Sequence, residues 1–258
     1  MKKAILAASF GTSHADTEEK NIGAVEQALA ARFPDRQVYR AYTSGMIMRA
    51  KRARGEQIDD LAAAFSRMQR EGVQDVCVVA THVIPGEEYE KVLRAAKEAA
   101  PQFERLTVSR PLLDCMADIE TVGRALAAHN PIGPQECLVL FGHGSEHYSN
   151  TVYPAMEHIL KEQVCDRILV GTVEGYPSLD EVVAQITARG FVKARLVPLM
   201  LVAGDHAKND MASDDPDSWC SKLQAAGVRT EPVIRGLGEY EEIRALYCAH
   251  AAAVMDGV

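Results

Sequence analysis

Short apolar runs and helical stretches alternate along the whole sequence, and this alternation limits the fold more than any other feature. The apolar runs are Ala4–Phe10, Gln37–Tyr42, Asp75–His82, Leu106–Val108, Glu136–Phe141, Arg167–Val173, Lys193–Val202 and Thr230–Ile234. Between them lie stretches with helical spacing, such as Ile58–Glu71 with Leu61, Ala64, Phe65 and Met68 on one face. Helical periodicity between buried strands predicts an α/β, doubly wound parallel architecture. Acidic residues at Asp16, Glu18 and Glu19 open the first helix, where the helix dipole favours them.

The plan comes round twice. Ala4–His14 aligns with Cys137–His147, which places Gly11 on Gly144 and Thr12 on Ser145. Ser44-Gly45 falls on Glu174-Gly175, and Asp75–Lys91 aligns without a gap on Lys193–Asn209. In this alignment Phe10 pairs with His143, Ser44 with Glu174, and Glu88 with His206. The Asn130-Pro and Gly133-Pro pairs in His129–Gln135 predict a linker, giving domains at 1–130 and 136–258, with the last helix free to pack on the N-terminal half. Two such halves are expected to face each other across a cleft, a favoured place for ligands.

At 258 residues the chain accommodates two domains of about 125 residues each. Its net charge of −8 argues against a protein whose main task is gripping nucleic acid. No apolar run approaches the roughly 18 residues that a membrane span requires, and the run after Met1-Lys-Lys suits a first strand better than a leader. The six cysteines (77, 115, 137, 165, 220 and 248) show no CxxC spacing and read as reduced thiols of a cytoplasmic protein.

In open α/β sheets, ligands sit beyond the carboxyl ends of the strands. Three such ends in the second half carry matching groups: His143 in Gly142-His-Gly-Ser145, Glu174 in Thr172-Val-Glu-Gly175, and His206 after Ala203-Gly-Asp205. Two imidazoles and a carboxylate suit a borderline divalent ion. The first half offers Phe10, Ser44, His82 and Glu88 at its own strand ends. No GxSxG elbow or GxGxxG fingerprint surrounds these residues, so hydrolase and dinucleotide readings fall away.

Longer runs carry a resemblance. They are Ser9-Phe-Gly-Thr12, Asp16-Thr17, Glu19-Lys-Asn-Ile22, Thr43-Ser-Gly-Met-Ile47, His82-Val-Ile84 and Gly86-Glu-Glu-Tyr-Glu-Lys91. In the second half they are Gly142-His-Gly144, Val173-Glu174, Tyr176-Pro177, and Pro198–Asp215 ahead of Ser218-Trp219. With these the chain resembles, from end to end, the class II tetrapyrrole chelatases, and among them the CbiK-type anaerobic cobaltochelatases of cobalamin synthesis. The resemblance implies two similar α/β domains, each a parallel four-stranded sheet flanked by helices, with the active-site cleft between them. It implies insertion of Co²⁺ into sirohydrochlorin without ATP. His143, Glu174 and His206 would be the metal ligands and catalytic groups, with an imidazole accepting a pyrrole proton. Ser9, Phe10, Thr12, Ser44, Met46, His82, Glu88, Met200 and Leu201 are the expected substrate contacts, and Arg49, Lys51, Arg52 and Arg54 are candidates for its carboxylate rim.

Other readings stay open at this level. Fe²⁺ insertion for sirohaem, or a nickel relative, would use the same donors. A non-catalytic carrier would bind a metal or a finished tetrapyrrole without turnover. A two-domain sugar- or amino-acid-binding protein would not need the three ligands to converge. A homo-oligomer is the expected assembly.

Overall fold

The computed structural model describes residues 1–257. The chain divides into two compact units: Met1–Asp114 with the closing stretch from Ile243, and Cys115–Glu242. Among the described residues no helix is long and apolar enough to cross a membrane.

Unit 1 runs β1 (Lys2–Ser9), α1 (Ala15–Thr17), a π-helical turn (Glu18–Gly23), α2 (Ala24–Arg32), β2 (Gln37–Tyr42), α3 (Gly45–Ala53), α4 (Leu61–Arg70), β3 (Val73–Ala80), α5 (Glu87–Ala99) and β4 (Arg105–Val108). Its sheet has the order β2-β1-β3-β4, and every pair is parallel. Ala4–Ala8 are wholly buried, as expected for a central parallel strand covered on both faces. Ala4, Leu6 and Ala8 share one core cluster with Leu61, Ala64, Phe65 and Met68 of α4. The Asp60 carboxylate starts α4 by accepting a hydrogen bond from the Ala63 N–H at 2.8 Å.

Unit 2 runs α6 (Met116–His129), β5 (Glu136–Gly142), α7 (Val152–Gln163), β6 (Ile168–Thr172), α8 (Leu179–Ala188), β7 (Lys193–Pro198), α9 (Trp219–Ala225) and β8 (Arg229–Pro232). Its sheet order, β6-β5-β7-β8, is that of unit 1, again with all pairs parallel. Cys137, Val139 and Phe141 face a core with Val182 and Ile186 of α8 and Trp219 of α9.

The duplication holds at the level of single hydrogen bonds. Ala4 lies opposite Val76 in unit 1, and their counterparts Cys137 and Ala194 lie opposite each other in unit 2. Ala8 pairs with Ala41 as Phe141 pairs with Gly171. Beyond the strands, Ser44 N–H donates to Phe10 O at 3.2 Å, and Glu174 N–H donates to His143 O at 2.8 Å. Gly11 and Gly144 both turn with positive φ, at 101° and 88°.

Two expectations need correction. Strand seven ends at Pro198 rather than Val202. The carbonyls of Met200 and Leu201 are taken instead by the N–H groups of Leu237 and Gly238, at 2.9 and 3.0 Å, so the segment leaves the sheet as a pinned loop. The expected linker His129–Gln135 lies inside unit 2, because α6 belongs to that unit. Gly123 explains the docking: a Cβ there would sit 2.1 Å from Leu160 Cδ2 of α7, so only glycine permits so close an approach.

Candidate metal centre

His143, Glu174 and His206 come together. One donor atom from each lies within 4.8 Å of the others. The imidazoles of His143 and His206 meet edge to face, with centroids 4.8 Å apart and planes at 89°. Glu174 Oε2 is 3.9 Å from His143 Nδ1. All three side chains are open to solvent, at 43%, 61% and 38% for His143, Glu174 and His206.

Glycines let the loops that carry His143 and Glu174 close on each other. A Cβ on Gly144 would stand 2.6 Å from Gly175 N, besides straining a positive φ. A Cβ on Gly175 would stand 2.4 Å from Asn150 Oδ1. Asn150 ties the two loops together: its Oδ1 accepts from Ser145 N–H at 3.0 Å, and its Nδ2 donates to the Tyr176 carbonyl at 2.7 Å. Beneath them Tyr153 packs under Gly142, and its hydroxyl lies 3.5 Å from the Gly144 N–H. Burial pushes that phenol up to about 12, so it remains protonated. Sequence reading missed Asn150 and Tyr153. A lone Asn and a helical Tyr carry no local signal, whereas the glycines beside His143 and Glu174 do signal a close backbone approach.

The loop that carries His206 is built differently. His206 opens a π-helical turn, His206–Met211, which the sequence reading left without structure. Such turns are uncommon and recur at functional sites. Ala207 and Met211 bury the inner side of the turn against the unit 2 core. This anchoring leaves His206 half-exposed toward its partners.

The expected substrate contacts divide. Phe10 and Met46 are exposed, at 42% and 63%. Met200 and Leu201 are half-buried in the pinned loop after β7. Ser9 is fully buried and its hydroxyl accepts from Thr81 Oγ1 at 2.8 Å. Thr12 is buried against Thr17, and its Oγ1 accepts from the His14 N–H at 3.2 Å. Ser44 caps α3 by accepting from Ile47 N–H at 3.3 Å. Each of these three hydroxyls is engaged in a local hydrogen bond that shapes its loop.

His82 is buried beyond the end of β3, with Nε2 3.4 Å from Thr43 Oγ1 and Nδ1 making no hydrogen bond. Burial lowers its pKa to about 4, against a smaller upward pull from Glu88. Glu88 starts α5 and pairs with Lys91, leaving Oε2 without a hydrogen bond.

The basic cluster also divides. Lys51 is fully buried, 2.7 Å from Glu18 and 2.6 Å from Glu56, and so is unavailable to a substrate rim. Arg54 donates to the Ser13 carbonyl at 2.7 Å, while Arg49 and Arg52 are exposed. None of the six cysteines is bridged, and none enters the metal cluster.

Comparison with known proteins places the chain in a family. The family model described as cobalt chelatase (CbiK) matches residues 3–256. A sirohydrochlorin cobaltochelatase of Salmonella typhimurium is 45% identical over 252 residues, covering 97% of this chain and 95% of that protein. The sirohydrochlorin cobaltochelatase CbiKC of Nitratidesulfovibrio vulgaris is 34% identical over 261 residues, covering 100% of this chain and 92% of its own. Among solved structures, SirB from Bacillus subtilis with Fe³⁺ superposes with a TM-score of 0.70 at 16% identity, covering 100% of this chain and 98% of its own. At that identity the likeness speaks for the fold alone.

Proposed function

Since the chain belongs to the cobalt chelatase (CbiK) family, we infer that it inserts Co²⁺ into sirohydrochlorin, without ATP, in the anaerobic branch of cobalamin synthesis. The convergence of His143, Glu174 and His206 within 4.8 Å is the observation that carries this reading.

Insertion exchanges two pyrrole N–H protons for one divalent ion. The protein must hold the ion and then release it. Two neutral imidazoles and one carboxylate bind a borderline ion such as Co²⁺ without the grip of thiolates. Three protein donors leave coordination positions for water, which pyrrole nitrogens replace in turn. Solvent access to all three side chains lets the ion arrive by diffusion. As the metal moves into the ring, a displaced imidazole takes up one pyrrole proton, and Glu174 or solvent water takes up the other. Phe10, Met46, Met200 and Leu201 are proposed to press on the macrocycle, His82 and Glu88 to meet its polar groups, and Arg49 and Arg52 to meet its carboxylates. The unbridged cysteines support a reducing, cytoplasmic setting. A homo-oligomer remains the proposed assembly, read by the mass of the purified protein in solution.

Anaerobic turnover of sirohydrochlorin with Co²⁺, followed by the ring's absorption, tests the reading. Insertion above the protein-free rate, with no ATP present and lost in His206→Ala, supports it. Insertion no faster than the control overturns it, and tight tetrapyrrole binding without turnover would mark a carrier. Fe²⁺ and Ni²⁺ in the same assay rank the metals.

A further inference from the structure

The two metal-site imidazoles are wired to different partners. His206 Nδ1 lies 2.6 Å from Asp210 Oδ2, four residues on along the π-helical turn. A carboxylate at this distance accepts, so Nδ1 carries the proton and the Nε2 lone pair is left for a metal. His143 Nδ1 lies 3.0 Å from the Gly144 carbonyl, which also only accepts, but is neutral and part of the same loop. Asp210 is not one of the three residues whose donors converge. It stands behind His206.

The internal repeat shows that the fold does not require an acid at this position. Where unit 2 has His206 and Asp210, the gapless alignment, continued by one residue, places Glu88 and Val92 in unit 1. Val92 is fully buried in the core of a regular helix, α5. The same strand-to-helix passage is thus completed by an apolar residue in one half and by a half-exposed carboxylate, hydrogen-bonded to a metal-site histidine, in the other. A carboxylate behind a ligating imidazole fixes its tautomer and ring angle and makes it a stronger donor.

We propose that Asp210 is a positioning residue for metal delivery: it holds His206 with Nε2 facing the ion and sets how tightly Co²⁺ is retained before transfer. The proposal rests on the metal-site reading above, and its test separates the two. Co²⁺ alone is titrated into the full chain by its visible absorption, for wild type, Asp210→Ala, Asp210→Asn and His206→Ala. KM and kcat are then measured with Co²⁺ and with sirohydrochlorin. Asp210→Ala is expected to weaken Co²⁺ binding by roughly 10- to 100-fold and to raise the Co²⁺ KM in step. The sirohydrochlorin KM and the melting temperature stay at their wild-type values. Asp210→Asn keeps an oxygen that accepts from Nδ1 and restores most of the affinity. Wild-type Co²⁺ affinity in Asp210→Ala overturns the proposal, as does a lowered melting temperature with both KM values raised. If His206→Ala also binds Co²⁺ normally, the metal-site reading fails with it. If His206→Ala loses Co²⁺ while Asp210→Ala does not, only the role of Asp210 fails.

Discussion

Single residues decide whether three donors meet. Gly144 combines two constraints, since a side chain there meets the Glu174–Gly175 backbone and also strains a φ of 88°. Gly144→Ala is therefore expected to separate the His143 and Glu174 loops, costing on the order of 2 kcal/mol of stability and most of the Co²⁺ affinity. Calorimetric melting and cobalt titration on one sample would read both. Retained affinity would mean that the loops adapt. His82 makes a prediction about pH. Its pKa falls from 6.5 to about 4 on folding because burial disfavours the charged ring. Between those values the unfolded chain binds the proton and the folded chain does not, so stability rises with pH across this window and is lost as the pH falls through it. The span corresponds to at most about 3 kcal/mol. His82→Asn should flatten the pH dependence of unfolding between about pH 4 and 6.5, as measured by denaturant titrations at stepped pH. An unchanged slope would place the titrating group elsewhere.

At the scale of elements, the loops are held from beneath by polar networks. In unit 1, Glu18 of the π-helical turn accepts from Arg40 at 2.6 Å and from the Tyr42 hydroxyl at 2.7 Å, and pairs with buried Lys51 of α3 at 2.7 Å. Hydrogen bonds from Lys51 and Tyr42, with the charges of Arg40 and Lys51, outweigh burial and hold the Glu18 carboxyl below its ordinary range. Tyr42 in turn packs under Gly11, where a Cβ would meet the ring at 2.5 Å. The network thus joins the start of the first helical segment, β2 and α3 below the loop that carries Phe10. Lys51→Met removes one partner and leaves Glu18 short of a cation. It should cost about 3 kcal/mol, within the usual range for breaking a buried pair. Lys51→Arg should recover part of this, and urea unfolding of both variants is the check. In unit 2, Asn150 does the corresponding work with neutral groups. Asn150→Ala frees the Ser145 N–H and the Tyr176 carbonyl and should raise the Co²⁺ KM, while a variant with unchanged kinetics would show the glycine contacts suffice.

At the scale of the whole chain, its end returns to its beginning. The last helix, Glu241–Asp256, belongs almost entirely to unit 1. There the Tyr247 hydroxyl donates to the Thr81 carbonyl at 2.8 Å, and Arg105 donates to the Val254 carbonyl at 3.1 Å. Tyr247 and Ala251 are fully buried. Removing the helix after Glu242 should therefore loosen β1 and β3, 160 or more residues away in sequence, such as Thr81 and Tyr247 at a separation of 166, and leave unit 2 folded. Amide exchange would show this as lost protection in Lys2–Ser9 and Val73–Ala80 with Leu138–Thr172 unchanged. Equal loss in both units would mean that they unfold as one.

Strand-helix alternation and local turn chemistry were enough to read the fold. Apolar runs ended by glycine or proline mark most of the strands, though not the polar β8 (Arg229–Pro232), and the gapless repeat already implied the matching registers of Ala4 with Val76 and Cys137 with Ala194. The meeting of His143, Glu174 and His206 could be anticipated too, because strand carboxyl ends are a fixed place in such sheets and the glycines beside His143 and Glu174 advertise close backbone contact. Three things depended on tertiary structure. Ser9, Thr12, Ser44 and Lys51 are polar in sequence, and only the folded chain shows that they are buried against particular partners. Asp210 looks like one more solvated acid until the π-helical turn sets it 2.6 Å from His206. Helix α6 follows the first set of strands in sequence but joins the second in space. In each case the deciding quantity is a distance between residues that sequence spacing does not fix.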